Sequence, residues 1–390
     1  MTFSPASARQ TLGLFLSERM ENLAWDSFSP AEWDVLIRNA QAEGVAPLLY
    51  WRLSRSGRIS SFPDSVHAML RAAYSSVWMH NQKIFKELES LLPLFDQAGI
   101  PVVILKGACF ALTVYADVGL RPMGDLDLLV PEDKLPQAVR IAKGLGYADL
   151  IPEASPGLRE LLNHEISLQK TQDKSISLEL HKSLVADKSF VYAAPVDWFW
   201  NQTEALDCTS SRKFGNLKML TPTAQILYAT AHAMLQHGGK NSPLPWFYDL
   251  DRLIVHYSQR VDWDLLLSQA RVFEWTSALE AALSRIIEYF NTPIPGAVRV
   301  ALSEYSDKHR KLVALLQQRP ATHVLEESQK LKALNGYGKL RLVLALLAPS
   351  PAYMQWRYQL GTVWLLPAYY LLRWWGILID SGRTLISFFR

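Results

Sequence analysis

At 390 residues the chain can hold two or three domains and bury a sizeable core. It is 49% hydrophobic and 20% charged with no low-complexity tract, and a net charge of only +3 argues against commitment to nucleic acid through a large basic face. Cys109 and Cys208, far apart and outside any metal-ligand spacing, argue against a disulfide framework and for a reducing compartment.

In chain order, the opening MTFSPASARQTLGLFLSERM lacks a basic n-region and its apolar run stops at Ser17-Glu18-Arg19, unlike a signal peptide. Residues 1–98 read as a helical cap. Within it, SPAEWDVLIRNAQAEG starts on Ser29-Pro30, a cap followed by proline at the first helical position, and closes on Gly44. PDSVHAMLRAAYSSVWMHNQKIFKELESLLPLFDQAG is a long amphipathic helix.

Then the period changes. IPVVILKG, from Ile100 to Gly107, is a β-branched run bounded by proline and glycine, hence a buried strand. ACFALTVYAD is helix-like, VGLRPMG a turn-rich loop, DLDLLV a second strand, and PEDKLPQAVRIAKGLG a helix stopped at Gly146. ISLQKTQDKSISLELHKSL reads as two strands joined at Gln172-Asp173-Lys174. In the second of them Ser175, Ser177, Glu179 and His181 share one face. From Thr221 the chain is helical again. The fold class is therefore mixed α+β, with boundaries at 1–98 (cap), 99–205 (small mixed-sheet core), 206–327 (C-terminal helical domain) and 328–390 (basic, aromatic-rich tail).

Asp125 and Asp127 stand one residue apart on a strand and so point to one face, where their like charges need a compensating cation; a divalent metal is the commonest. Lys106-Gly107 follows the preceding strand, and Glu179 lies on a later one. Three carboxylates on adjacent strands can hold two metal ions about 3.5–4 Å apart around a transferring phosphoryl group. The glycine after the first strand lets backbone N–H groups approach a triphosphate at a helix N-terminus.

At these residues the sequence resembles the DNA polymerase β-like nucleotidyltransferases, and more narrowly the bacterial uncharacterised nucleotidyltransferase family. The resemblance spans roughly residues 30 to 270 and rests on GVAPLLYWRL, GIPVVILKGACFA, YADVGLRPMGDLDLLV, LGY, LELH, the helix bearing His232, and WFYDLDRL. It implies that Asp125, Asp127 and Glu179 bind Mg²⁺ (or Mn²⁺) and that Lys106, Gly107, Arg121 and Gly124 lie at the nucleotide. The superfamily favours Gly-Ser at the phosphate loop where this chain has Lys106-Gly107-Ala108, so Lys106 would make the phosphate contact as a point charge.

Several residues admit two readings. Arg121 either holds substrate phosphates or pairs with a carboxylate to fix its loop. Glu179 is a metal ligand or a surface strand residue. His181 lines the site or hydrogen-bonds a strand edge, and His164, just before the first strand of the hairpin, belongs to the site or is equally a loop residue. His232 and Asp249 contact each other and pin the helical domain against the sheet, or they face the substrate on its acceptor side. His232 and His237 are five apart, not the i, i+4 spacing of a helical zinc pair.

The tail carries eight Lys or Arg against Asp380 alone, +7, which leaves −4 for the rest of the chain. Its apolar stretch Tyr358–Ile379 is interrupted by Arg373 and Pro367 and rich in aromatics. It is a poor transmembrane helix, an interfacial segment for anionic lipid, or a helix covering the helical domain or a dimer partner.

The expected activity is Mg²⁺-dependent transfer of a nucleoside monophosphate from an NTP to a hydroxyl acceptor, in a cytoplasmic protein peripheral to the inner face of the membrane through residues 358–390. Glu179 completes the metal site or acts as general base. Resemblance to antibiotic nucleotidyltransferases implies an acceptor pocket formed by the helical domains. The alternative is an inactive nucleotide-binding scaffold docking through the tail.

Overall fold

The computed structural model describes residues 5–17, 28–156, 158, 163–185, 193–207, 214–237, 239, 242–305 and 336–388. Cys208, residues 18–20 and residues 328–335 lie outside them, as do the side chains of Asp380, Arg383 and Arg390. The fold is mixed α+β, with a seven-stranded sheet of order β3-β4-β5-β2-β1-β7-β6. The strands are β1 (Val103–Ile104), β2 (Leu126–Leu129), β3 (Tyr147–Asp149), β4 (Glu165–Lys170), β5 (Ser177–His181), β6 (Thr203–Ala205) and β7 (Lys218–Leu220). The chain divides into two compact units, Met1–Leu128 with Trp198–Asp307, and Leu129–Asp197 with Lys308–Arg390.

The first unit opens with α1 (Pro5–Leu16), α2 (Pro30–Ala42), α3 (Ala46–Arg55) and α4 (Asp64–Gln97). Helix α2 starts where the sequence says it should. The Ser29 hydroxyl accepts from the Glu32 amide while Glu32 accepts from the Ser29 amide at 2.8 Å, a reciprocal cap that satisfies two orphan donors. It stops at Gly44, whose φ of +73° suits glycine. After β1 comes α5 (Lys106–Thr113), every residue of which from Gly107 on is buried. The Leu105 amide donates to the Asp127 carbonyl at 3.0 Å, which sets the start of α5 beside the acidic doublet. β1 pairs in parallel with β7, Val103 opposite Lys218.

The same unit continues through α7 (Val196–Asn201), α8 (Pro222–Ala231), α9 (Leu244–His256), α10 (Trp263–Val272), α11 (Thr276–Phe290) and α12 (Gly296–Ser303). Its core holds Phe85, Phe95, Phe199, Phe247 and Trp275, all fully buried. Helix α8 is buried along its whole length, its polar Thr223, Gln225 and Thr230 included.

The second unit contains α6 (Leu135–Gly144), β3 and the β4–β5 hairpin. In the hairpin Glu165 stands opposite His181 and Ser167 opposite Glu179. Leu168, Leu178 and Leu180 are fully buried on the other face, so register is held by an apolar stripe. The Val130 amide donates to the His181 carbonyl at 2.9 Å.

The C-terminal helices of this unit are α13 (Gly336–Leu347), α14 (Pro351–Tyr358) and α15 (Leu366–Phe388). Leu342 and Ala345 pack on Leu158, and Ser350, which caps α14, bonds to the carbonyls of Glu153 and Ala154 at 2.6 and 2.7 Å. Helix α15 turns back on α13: Arg373 and Trp374 donate to the carbonyls of Leu346 and Leu347 at 2.8 and 2.6 Å. Its remaining face exposes Leu371, Leu372, Trp375 and Leu378, next to the almost fully exposed Trp364. Among the described residues no helix is long and apolar enough to cross a membrane.

Candidate active site

Asp127 lies within β2 and is buried, while Asp125, just before the strand, is half-buried. A buried carboxylate needs a positive partner or strong hydrogen bonds. Asp127 has Lys106, whose Nζ sits 2.8 Å from Oδ1. Lys106 opens α5 with φ at +45°, a left-handed conformation that strains a residue bearing Cβ by about 1–2 kcal/mol. The contact with Asp127 on one side and the helix on the other hold it there. The ammonium also lies 6.0 Å from the centre of the Tyr228 ring.

Gly107 has a packing reason to be glycine: a Cβ there would meet Met123 Cγ at 3.3 Å and Arg121 Cζ at 3.5 Å. Gly124 is exposed, with open space around it.

Of the two sequence readings of Arg121, the structure has the carboxylate pairing. The guanidinium grips Asp249 of α9, with Nε 2.8 and 3.0 Å from the two oxygens and Nη2 at 2.7 Å. Burial alone would lower the pKa of Arg121, but Asp249 overrides it and keeps the cation firmly charged. Tyr115 donates to the same carboxylate at 2.7 Å, and its phenol is pushed well up by burial and then by Asp249. Asn81 of α4 donates to the carbonyls of Val118 and Arg121. The loop leading into the acidic doublet is thus tied to α4 and α9.

The hydrogen bonds of Asp249 go to Arg121 and Tyr115 rather than to His232. His232 begins a π-helical turn, His232–Gln236. On an α-helix a separation of five puts residues on different faces, but a π turn bonds i to i+5 and brings them together. The rings of His232 and His237 lie 4.7 Å apart, both against Trp246. Among the described residues they join no group of three metal-ligating side chains.

Burial, and next to it Lys106 and His237, hold the His232 pKa well below the ordinary histidine value. It is neutral near pH 7. The unfolded chain takes up its proton below about pH 6.5 while the native one refuses it, so stability falls as pH drops, by up to about 1.4 kcal/mol per pH unit. Urea midpoints between pH 7 and 5 should therefore fall less steeply for His232→Asn than for the native chain. Equal slopes would remove His232 as the source.

In the second unit, strand alternation and register together gather Glu165, Glu179 and His181 on one face. His181 is fully buried; its Nδ1 is 3.3 Å and its Nε2 3.6 Å from carboxylate oxygens of Glu165 and Glu179. His164 Nε2 is 3.2 Å from the same Glu165 oxygen. His164, Glu165 and His181 each offer a metal-ligating atom, all within 4.8 Å of one another. His164 stands just before β4, as its position in the sequence suggests, whereas no motif in the sequence singles out Glu165.

The family described as Uncharacterised nucleotidyltransferase matches residues 29–291, well over half of the chain and inclusive of all these residues. The chain belongs to this nucleotidyltransferase family. No curated protein matches it. Several solved structures resemble it at low identity. One is the antibiotic-resistance factor ANT(2'')-Ia, at 16% identity with a TM-score of 0.35, covering 52% of this chain and 99% of that one. Another is an antigenic nucleotidyltransferase-like protein from Paracoccidioides brasiliensis, at 12% identity with a TM-score of 0.31, covering 59% of this chain and 96% of that one.

Proposed function

We propose that this nucleotidyltransferase moves a nucleoside monophosphate from an NTP to a hydroxyl acceptor and releases pyrophosphate, with Asp125, Asp127 and Glu179 as ligands for Mg²⁺ or Mn²⁺. The observation that carries the reading is the buried Asp127 carboxylate, held against a cation beside the LKG turn. Asp125 and Asp127 are hard oxygen donors, the chemistry Mg²⁺ requires, and Asp127 already sits where positive charge is favoured. Divalent metal, when bound, would neutralise triphosphate charge and polarise the bond to be broken.

The chain's own groups have separable tasks. Lys106 exchanges Asp127 for a phosphate oxygen, Gly107 and Gly124 give the backbone access to the triphosphate, and Glu179 completes the carboxylate set or takes the acceptor proton. Arg121 and Asp249 position the loop that carries Asp125, and His181 and neutral His232 border the acceptor side. Equilibrium binding of a fluorescent NTP tests this. Affinity should rise at least about 10-fold with Mg²⁺ in the native chain and not in Asp125→Asn/Asp127→Asn, because the metal bridges carboxylates and phosphates. Equal Mg²⁺-dependence in both would overturn the assignment.

The exposed apolar face of α15 favours a second property, peripheral attachment to anionic membrane. Trp364, Leu371, Trp375 and Leu378 are all more than half exposed, with Arg357 exposed nearby. Vesicles containing phosphatidylserine should bind the native chain, and Leu371→Glu/Trp375→Glu should abolish binding. Added salt should weaken it, since each basic residue near the surface contributes about 1 kcal/mol and is screened. No vesicle binding at low salt would leave that face without a lipid role.

A further inference from the structure

We propose that His164, Glu165 and His181 form a second metal site, for Zn²⁺ or a similar borderline transition metal, built on other carboxylates than those of Asp125 and Asp127. The inference rests on the hairpin's geometry and does not depend on the nucleotidyl-transfer reading.

Register builds the site. Glu165 and His181 are directly opposed across β4 and β5, so their side chains leave the same face side by side. His164 precedes Glu165, and its carbonyl accepts the amides of Lys182 at 2.8 Å and Ser183 at 3.2 Å, which clamps it beside the end of β5. Both imidazoles therefore converge on one carboxylate oxygen, at 3.2 and 3.3 Å.

Those separations suit a metal. With bonds of about 2.0–2.1 Å, the ligand atoms of a tetrahedral zinc site lie about 3.3–3.4 Å apart. Two of the edges already have close to that length, and one nitrogen of each histidine lies within 4.8 Å of one of the other. Two imidazoles and one carboxylate select Zn²⁺, Co²⁺ or Ni²⁺ over Mg²⁺, which prefers an all-oxygen shell. The set leaves a fourth position open. His181 is fully buried, so its ring is already ordered, and ordering it costs little on binding.

The site has a consequence for Glu179. With Nδ1 of His181 on the metal, the opposite nitrogen carries its proton toward Glu179, 3.6 Å away. A carboxylate in that outer position orients the ligating imidazole. Glu179 would thus help hold His181 in the direction that the metal needs.

Co²⁺ titration of the full chain, read by visible d–d absorption, tests the site, with Zn²⁺ competition measured against a chelating indicator. The native chain should bind one equivalent with the spectrum of a low-coordinate histidine site. His164→Gln/Glu165→Gln changes two partly exposed residues and spares the buried His181. It should weaken binding at least about 100-fold, more than loss of an outer partner does, with an unchanged melting curve for the metal-free chain. Asp125→Asn/Asp127→Asn should keep the d–d spectrum and the affinity of the histidine site. Absence of the d–d bands, equal affinity in the His164/Glu165 variant, or loss of binding in the Asp125/Asp127 variant would each overturn the proposal.

Discussion

Arg121→Met and Asp249→Leu, each alone, should cost about 3–5 kcal/mol in urea unfolding, because either leaves its partner as an uncompensated buried charge. Both side chains are nine-tenths or more buried, and three close N–O contacts join them. The double variant should lose far less than the sum, within about 1–2 kcal/mol of the native chain, since burying a well-packed apolar pair avoids desolvating two ions. Tyr115 would then have lost its acceptor, so Tyr115→Phe should help the double variant and harm the native chain. Additive losses would mean that the pair is not the coupled unit described here.

Lys106→Met should give two effects of opposite sign. Without metal, Asp127 loses its cation, and stability should fall by about 3 kcal/mol, the low end for a half-broken buried pair because the Lys106 side chain is 15% exposed. Mg²⁺ alone should bind tighter, since no ammonium competes for Asp127. Saturation should recover most of the loss, as a ligand at 100 times its Kd contributes about 2.7 kcal/mol. NTP should bind more weakly, because the phosphate contact is gone. Calorimetric titrations with Mg²⁺ and with Mg²⁺-NTP separate the two. Weaker Mg²⁺ binding in Lys106→Met would contradict the exchange of Lys106 for metal.

Much of the fold could be read from residues close in sequence. The Ser29 cap, the change of period at Ile100, the glycine stop after α6 and the β4–β5 turn are all local signals, and each appears in the structure. Strands β3, β6 and β7 were not foreseen. Three residues are too few to show a period, and the parallel pairing of Val103 with Lys218 is a long-range event. Nor does composition mark the π turn at His232, so the spacing of five was read on the wrong helix.

Site residues divide in the same way. The acidic doublet and Lys106 stand out in an apolar stretch, whereas the partner of Arg121 is 128 positions away and no pattern announces it. Glu165 is different. It and His181 are equally far from Asp173, so a hairpin turning at Asp173 pairs them, and the turn was already legible.

The central claim is that Asp125, Asp127 and Glu179 hold the metal that meets the triphosphate. The most direct measurement is a crystal structure of the full chain with Mn²⁺ and a non-hydrolysable NTP, located by anomalous scattering. The account predicts Mn²⁺ peaks at about 2.0–2.2 Å from carboxylate oxygens of Asp125 and Asp127, with Glu179 bound to one of them, the triphosphate against the Lys106-Gly107 turn, and Lys106 turned away from Asp127. A triphosphate bound elsewhere, or one bound while Lys106 still pairs with Asp127 and no Mn²⁺ lies at the doublet, would contradict it.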